Sequence, residues 1–196
     1  MGLFKNFRNK SKLKKANELY YQCKYYEAIK LYDEILEKNF NNVDVWNNKG
    51  LALKNLGRYQ EALDAYNKAL KLNPINVNAW NNKGSILKEL GRYPEALDSC
   101  DKALELNPKN GSAWNNKGSI YGIILEHSKA LKCFDQALKL NSTNYQALYN
   151  RGMTLKYLEK KQEALKCFYE VLKLNPDFKP AKNQKDKILN SEGEIQ

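Results

Sequence analysis

The stretch Trp46-Asn47-Asn48-Lys49-Gly50 decides how the chain is organised, because it recurs at a fixed interval. The same five residues stand at Trp80–Gly84 and Trp114–Gly118, and a diverged copy, Leu-Tyr-Asn-Arg-Gly, stands at Leu148–Gly152. Successive copies begin 34 residues apart. A period of this length is typical of repeat proteins, in which each unit buries its apolar surface against its neighbours. The sequence therefore predicts a stack of repeated units.

The clearest repeat, residues 43–76, is predicted to contain two helices. The spacing of apolar residues indicates a first helix, helix A, from about Asp44 to Leu56, and a second, helix B, from about Tyr59 to Leu72. Gly57 stands between them and is expected to adopt the left-handed conformation that commonly ends a helix. Asn73-Pro74 follows helix B, since proline cannot continue a helix interior.

The same plan divides the whole chain. The first repeat lacks the Trp and Gly of the later copies, which is common for a terminal repeat, but its second helix is predicted at Tyr25–Lys38. The fourth repeat replaces Gly-Arg-Tyr in the turn with Leu125-Glu126-His127. The predicted segments are a lead-in (1–8), five repeats (9–42, 43–76, 77–110, 111–144 and 145–178), a capping helix (179–190) and a flexible tail (191–196).

The composition is that of a folded protein with no membrane helix, since 42% of the residues are apolar, 28% are charged, and no stretch approaches the ~20 apolar residues that a span needs. The N-terminus lacks the continuous apolar region of a secretory signal, so a cytoplasmic location is expected. The net charge of +11 is spread over the repeats and is densest near the N-terminus. A spread positive charge favours acidic partners without indicating a concentrated nucleic-acid surface.

The chain offers no catalytic or metal-binding pattern, and no cofactor is predicted. Its four cysteines, Cys23, Cys100, Cys133 and Cys167, include no C-x-x-C pair and are expected to be small buried residues in a reducing compartment. The single histidine, His127, is interpreted as a substitution in a turn. Without a second histidine, a phosphate-binding glycine loop or clustered acids, an enzyme is not expected.

The pattern of small and large residues resembles the tetratricopeptide repeat (TPR) family. The second repeat has Trp46 at the family's position for a large residue, Gly50 and Ala62 at positions for small residues, and Tyr66 at an aromatic position. Ala69 and Pro74 complete the match. The later repeats match in the same phase, with Cys100 at one aromatic position and Val171 at one alanine position. The resemblance covers residues 9–178 and implies an all-α, right-handed α-solenoid of antiparallel helix pairs, the TPR superhelix.

The resemblance also implies a site, because in this family one face of helix A lines a concave groove that holds partner peptides. Asparagine recurs on this face, and an amide can pair with the backbone of an extended peptide of any sequence. The predicted peptide-binding residues are Asn48, Asn82, Asn116, Asn150, Asn47, Asn81, Asn115, Lys54, Lys88 and Lys156. The alternative is compositional, since the chain is rich in asparagine throughout.

The sequence therefore predicts a non-enzymatic adaptor that binds an extended, preferably acidic, protein segment, and it leaves the oligomeric state open. The alternative is binding of RNA or another polyanion through the basic surface, which is disfavoured because the predicted face is rich in amides rather than arginines. A basic residue also recurs directly before the glycine of each copy, at Lys49, Lys83, Lys117 and Arg151. These side chains are expected to lie along a helix flank, or else to form a basic ridge.

Overall fold

The structure, a computed structural model, describes residues 2–193, with side chains described for residues 10–190. Within these residues the chain forms eleven α-helices and no strand. Their bounds are α1 (Gly2–Tyr21), α2 (Tyr25–Lys38), α3 (Val43–Asn55), α4 (Tyr59–Leu72), α5 (Val77–Glu89), α6 (Tyr93–Leu106), α7 (Gly111–Ile123), α8 (His127–Leu140), α9 (Tyr145–Tyr157), α10 (Lys161–Leu174) and α11 (Lys179–Gly193).

The predicted helix bounds of the repeats agree with these elements to within about a residue. Both predicted B helices, α2 and α4, begin and end where expected, and α3 lies one residue earlier than expected at each end. The ends of the chain differ more. Helix α1 starts at Gly2 and so runs through most of the predicted lead-in, and α11 includes the first three residues of the predicted flexible tail (191–196). Residues 194–196 lie outside the described residues.

The chain divides into two compact units, one up to Leu106 and one from Asn107 onward. In unit 1, the pairs α1/α2, α3/α4 and α5/α6 pack side by side, and α2 contacts α3 while α4 contacts α5. In unit 2, α7/α8 and α9/α10 form pairs and α11 packs on α10. Because the loop within a pair is about three residues long, the two helices of each pair run antiparallel.

The turn within each pair contains one residue in the left-handed conformation, at the same repeat position every time. Gly57 and Gly91 have φ values of 72°, as the sequence predicts, but Cys23, Leu125 and Glu159 occupy the same position with φ values of 60°, 62° and 58°. Left-handed backbone is costly for residues with a Cβ. The geometry of the helix pair therefore imposes this conformation whichever residue is present.

A glycine in helix A allows the two helices of a pair to approach. A Cβ built on Gly50 would lie 2.6 Å from the ring of Tyr66, one on Gly118 would lie 2.7 Å from the ring of Phe134, and one on Gly152 would lie 2.8 Å from that of Phe168. The three rings are essentially fully buried. The close approach of the two helices therefore depends on a small residue in helix A that faces a large ring in helix B.

The tryptophans join consecutive repeats. The indole Nε1 of Trp46 donates to the carbonyl oxygen of Phe40 at 2.8 Å, and Trp80 donates to Pro74 at 2.7 Å. Trp114 makes the equivalent bond to Pro108 at 2.9 Å. Each bond holds the loop that leads into helix A. These bonds give the three tryptophans a structural role.

Many of the asparagines cap helices or close turns. The side chains of Asn42, Asn76, Asn110 and Asn144 each accept a hydrogen bond from the backbone N–H three residues later, at 2.9–3.2 Å, and so cap α3, α5, α7 and α9. The side chains of Asn73, Asn107 and Asn141 each accept from the backbone N–H two residues later. Much of the asparagine content therefore has a structural cause.

Helix α11 covers the apolar end of unit 2. Its Ala181 and Ile188 are buried in one cluster with Leu165 and Phe168 of α10. Exposing this cluster to water would be unfavourable, so α11 serves as a capping helix.

Three of the four cysteines lie in the core, as predicted. Cys100, Cys133 and Cys167 are buried, but Cys23 is exposed, so the prediction was wrong for this residue. Cys23 stands in the left-handed turn position, where side chains point to solvent.

Among the described residues, no helix combines the length and the apolar character that crossing a membrane would need.

Candidate functional site

The candidate site is the face formed by the first helices of the repeats, which we call the helix-A face. In unit 1 it is formed by α1, α3 and α5, because α3 contacts both of the other two. In unit 2 it is formed by α7 and α9, which also contact each other. Side chains at the same repeat position on neighbouring A helices therefore lie next to each other.

The recurring asparagines of this face pair across neighbouring helices. In unit 1, the Asn48 Nδ2 donates to the Asn17 Oδ1 at 3.2 Å, and the Asn82 Nδ2 donates to the Asn47 Oδ1 at 3.1 Å. In unit 2, the Asn150 Nδ2 is 3.2 Å from the Asn115 Oδ1. These bonds tie one A helix to the next within a unit.

The amide pairs fix the orientation of side chains that remain partly accessible. Asn47, Asn48, Asn82 and Asn150 are half-buried, as are Asn81, Asn115 and Asn116. Asn81 and Asn116 also have partners in the structure. Each amide has two N–H donors and a carbonyl acceptor, and a pair uses one N–H and one carbonyl. Among the predicted asparagines, the structure thus pairs Asn82 with Asn47 and Asn150 with Asn115, and these bonds are a structural role that was not predicted.

The sequence contains a signal for two of these pairs. The Asn82–Asn47 and Asn150–Asn115 bonds join residues 35 apart, one more than the repeat interval, whereas the Asn48–Asn17 bond joins residues 31 apart. An amide at one position can therefore reach the amide at the preceding position of the previous repeat.

The two predicted lysines of unit 1 are linked through Ser85, which Lys54 contacts and which lies about one helical turn before Lys88 on α5. The Lys54 Nζ donates to the Ser85 Oγ at 3.0 Å, and the Lys88 Nζ is 3.1 Å from the Glu89 carboxylate. Burial lowers the pKa of Lys54, and the positive charge of Lys88 lowers it further. Ser85 is buried on α5, the helix that carries Lys88, and its bond with Lys54 links α5 to α3.

The predicted lysine of unit 2 has a different environment. The Lys156 Nζ donates to the Gln184 Oε1 at 2.7 Å, and Gln184 belongs to the capping helix α11. This bond links the last A helix to α11. Lys156 is therefore part of the end of the repeat stack as well as of the helix-A face.

A hollow of about 70 Å³ opens on the helix-A face of unit 1, between α1 and α3. We call it the tyrosine hollow; it is lined by Asn17, Tyr20, Tyr21, Tyr32, Asn48 and Leu51. The Tyr32 hydroxyl donates to the Asn17 Oδ1 at 2.8 Å, and the Asn55 Nδ2 donates to the Tyr20 hydroxyl at 3.1 Å. The side chain of Tyr21 is 81% exposed. This hollow was not predicted, because the first repeat lacks the pattern of the others.

The recurring basic residues lie along the helix flank and are held by local contacts. Lys49 pairs with Asp33 at 2.5 Å, and Arg151 pairs with Asp135 at 2.8 Å. The Nζ atoms of Lys49 and Lys83 lie 5.4 Å and 5.1 Å from the ring centres of Trp46 and Trp80. These contacts fit the prediction of side chains packed along a flank.

His127 was predicted to lie in a turn, but it is the first residue of α8. Its ring stacks on Tyr157, with centroids 5.6 Å apart and planes at 6°. The turn ends at Glu126, which is the N-cap residue of α8, so His127 is the first residue of the helix.

In the part of the chain that the structure describes, no three His, Cys, Asp or Glu residues are arranged to hold a metal ion.

Comparison with known families covers most of the chain. A family model described as a tetratricopeptide repeat matches residues 13–74 and 47–111. A second model of the same description matches residues 111–144 and 145–178, which are the bounds predicted for the fourth and fifth repeats. No curated protein sequence matches the chain significantly.

Solved structures similar to the chain are repeat proteins of the same kind. TTC0263, a thermophilic TPR protein of Thermus thermophilus, has a TM-score of 0.79 at 18% identity, over 92% of this chain and 98% of that one. MamA from Desulfovibrio magneticus RS-1 has a TM-score of 0.73 at 22% identity, over 87% and 96%. YrrB, described as a TPR protein with an unusual peptide-binding site, has a TM-score of 0.66 at 25% identity, over 89% and 90%.

Proposed function

Because this chain belongs to the tetratricopeptide repeat family, whose members are generally protein-interaction scaffolds, we propose that it is a non-enzymatic scaffold that binds an extended peptide segment on its helix-A face. The observation that carries this proposal is the set of inter-helix amide pairs. They hold half-buried amides in fixed orientations on one face of each unit.

The chemistry of these amides suits a peptide backbone. A backbone presents alternating N–H and C=O groups, and an amide side chain can donate to one and accept from the other. Because the inter-helix bond already orders the side chain, binding costs less conformational entropy than ordering a mobile one. Amides of this kind would contribute affinity independent of the partner's sequence.

The size of unit 1 sets the length of segment that it can hold. Neighbouring packed helices lie about 8–10 Å apart, so α1, α3 and α5 span about 20 Å. An extended chain rises ~3.3 Å per residue, so this face accommodates roughly six residues. YrrB, which is described as having a peptide-binding site, offers a precedent in a similar fold.

The proposal is tested with a partner obtained by pull-down from native cells, identified by mass spectrometry and divided into overlapping synthetic peptides. We expect the double substitution Asn48→Ala and Asn82→Ala to weaken binding of the tightest peptide about tenfold, because two amide contacts are lost. Fluorescence polarisation measures the affinity. The matched control is Asn67→Ala, which removes an exposed asparagine on α4.

These substitutions also remove inter-helix bonds, so thermal unfolding is followed by circular dichroism and affinities are compared well below the transition. Unchanged affinity in the folded double variant would remove the asparagines from the site. Failure of every partner-derived peptide to bind would remove the peptide-scaffold proposal.

Polyanion binding is the alternative, and the net charge of +11 favours it. The arginines of the repeats argue against it, because each is already paired with a carboxylate. Arg58 pairs with Glu61 at 2.6 Å, Arg92 pairs with Glu95 at 2.5 Å, and Arg151 pairs with Asp135 at 2.8 Å. Arginines engaged in this way are less available to phosphate groups.

A further inference from the structure

The helix-A face of unit 1 carries a cluster of positive charge between α3 and α5. Lys54 is half-buried and donates to the buried Ser85, while Lys88 has a side chain that is 21% exposed. The two ammonium groups are near enough for the charge of Lys88 to lower the pKa of Lys54. Two cations held together in a partly desolvated place repel each other unless an anion lies near.

An acidic residue, Glu89, lies beside the cluster. Glu89 pairs with Lys88, and its charge also acts on Lys54 in the opposite direction to that of Lys88. Among the described residues, Lys54 forms its hydrogen bond with a neutral hydroxyl and no ion pair with a carboxylate. The three charged groups therefore leave an excess of one positive charge at this point of the face.

The tyrosine hollow lies beside this cluster. Leu51 lines the hollow and stands one helical turn before Lys54 on α3, and Asn55, the residue after Lys54, bonds to Tyr20 of the hollow. The hollow lies between α1 and α3, whereas the lysines lie between α3 and α5. Their separation is thus about one inter-helix spacing, roughly 8–10 Å.

We propose that Lys54, Ser85 and Lys88 form a receptor for a carboxylate side chain of the bound peptide, and that the tyrosine hollow beside it takes an apolar side chain of the same peptide. This inference rests on the proposed peptide-scaffold function and adds the class of partner. The preferred segment has an acidic residue about two or three residues from an apolar one, because an extended chain rises ~3.3 Å per residue.

The chemistry of the cluster favours a single carboxylate. A carboxylate between the two ammonium groups accepts hydrogen bonds from both and removes their mutual repulsion. A neutral glutamine side chain of the same shape can accept hydrogen bonds through its carbonyl oxygen, but it has no charge and leaves the repulsion between the two lysines in place. Ser85 adds directionality, since it holds the Lys54 ammonium group toward α5.

The test uses the full chain and short fluorescein-labelled peptides on an Ala/Ser background, each with one leucine and one glutamate separated by one to four residues. One matched set carries glutamine in place of glutamate, and another carries alanine in place of leucine. We expect the full chain to bind the best glutamate peptide about tenfold more tightly than its glutamine counterpart. The double variant Lys54→Met and Lys88→Met should bind the two equally, because methionine keeps the apolar stem and removes the charge.

The matched control is Lys30→Met with Lys71→Met, which removes the same net charge from exposed positions on α2 and α4. It should retain the preference for glutamate. Tyr21→Ala tests the hollow and should reduce the preference for leucine over alanine, and it should not disturb folding because Tyr21 is mostly exposed. Circular dichroism confirms that each variant is folded.

The outcomes separate this inference from the function on which it rests. Binding of peptides without a preference for glutamate, or a preference that survives in the lysine double variant, would overturn the carboxylate receptor and leave the scaffold proposal standing. If no peptide of either set or from a captured partner binds, both proposals fall. If a labelled single-stranded RNA binds through Lys54 and Lys88 more tightly than any peptide, the occupant is a polyanion and the receptor proposal is overturned.

Discussion

At the scale of single residues, two buried tyrosines show that the same side chain can have opposite effects on stability. Tyr66 and Tyr32 are both fully buried, and both belong to helix B of their repeat. The Tyr32 hydroxyl donates to the Asn17 Oδ1 at 2.8 Å, whereas the Tyr66 hydroxyl has no hydrogen-bond partner among the described residues. A buried polar group without a partner loses its hydration without compensation.

This contrast gives a matched pair of substitutions. Tyr66→Phe should raise the free energy of unfolding by about 1 kcal/mol, because it removes an unsatisfied hydroxyl and keeps the ring against Gly50. Tyr32→Phe should lower it by about 1 kcal/mol, because it removes a satisfied hydrogen bond. Urea unfolding monitored by circular dichroism measures both. Equal effects of the two variants would show that the hydroxyls do not differ in the way the structure indicates.

At the scale of helices, capping asparagines explain where each A helix begins. Four A helices start directly after an asparagine whose side chain accepts from the helix's third N–H, so the first turn is satisfied by the chain itself. These asparagines recur at the repeat interval, and an N-cap signature before an apolar-periodic segment is readable from sequence. The predicted roles for asparagine concerned only residues inside the helices.

The cap of α5 can be tested separately from the helix-A face. Asn76→Ala should lower the free energy of unfolding by about 1 kcal/mol, because the N–H of Ala79 loses its acceptor. Asn78→Ala, at an exposed position two residues further on, should change stability little. Thermal unfolding of both variants checks this. A loss of the same size in both would contradict capping as the cause, because alanine at position 78 favours the helix by propensity and gives no reason for a loss.

At the scale of the whole molecule, the net charge of +11 is compatible with both a peptide partner and a polyanion. The two kinds of ligand should differ in how strongly salt weakens their binding. Neutralising several phosphates of a nucleic acid releases counterions at each contact, whereas a single carboxylate has no condensed counterions and its contact is only screened by salt. Salt dependence of binding therefore reports how many charges a ligand engages.

The affinity for an acidic peptide should fall by no more than about fourfold when the salt concentration is raised fourfold, because salt only screens its single ion contact. A single-stranded RNA that contacted six phosphates would lose roughly two to three orders of magnitude over the same range, since its slope is about −4. Binding titrations at about 50 mM and about 200 mM salt measure this difference. A steep loss with the captured physiological partner would favour the polyanion alternative.

Much of the fold was predictable because its signals are local and repeated. Helix bounds follow from apolar spacing, turn residues and prolines, and four copies in the same phase remove the ambiguity of any one copy. The left-handed turn position was predicted where glycine marks it, at Gly57 and Gly91, and was missed where Cys23, Leu125 and Glu159 adopt the same conformation. Those three residues carry no local signal, because packing of the pair imposes the backbone angle.

The site was predictable only as a set of residues on one face. Helical spacing assigns Asn48, Asn82 and Lys54 to the same stripe. It does not show that Asn82 donates to Asn47 or that Lys54 reaches Ser85, because those bonds join residues more than thirty positions apart. Their existence depends on the stagger between neighbouring A helices.

The repeat fold could be predicted from the sequence, because the Trp-Asn-Asn-Lys-Gly stretch recurs at a fixed interval with the same pattern of large and small residues, which is typical of the paired helices of the tetratricopeptide repeat family. The roles of the polar residues in that stretch follow only from the tertiary structure. Packing of one A helix against the next converts the asparagines from separate side chains into inter-helix ties, and it brings two lysines of different repeats together in a partly desolvated place. Such contacts depend on the distance and stagger between helices, which no single repeat encodes.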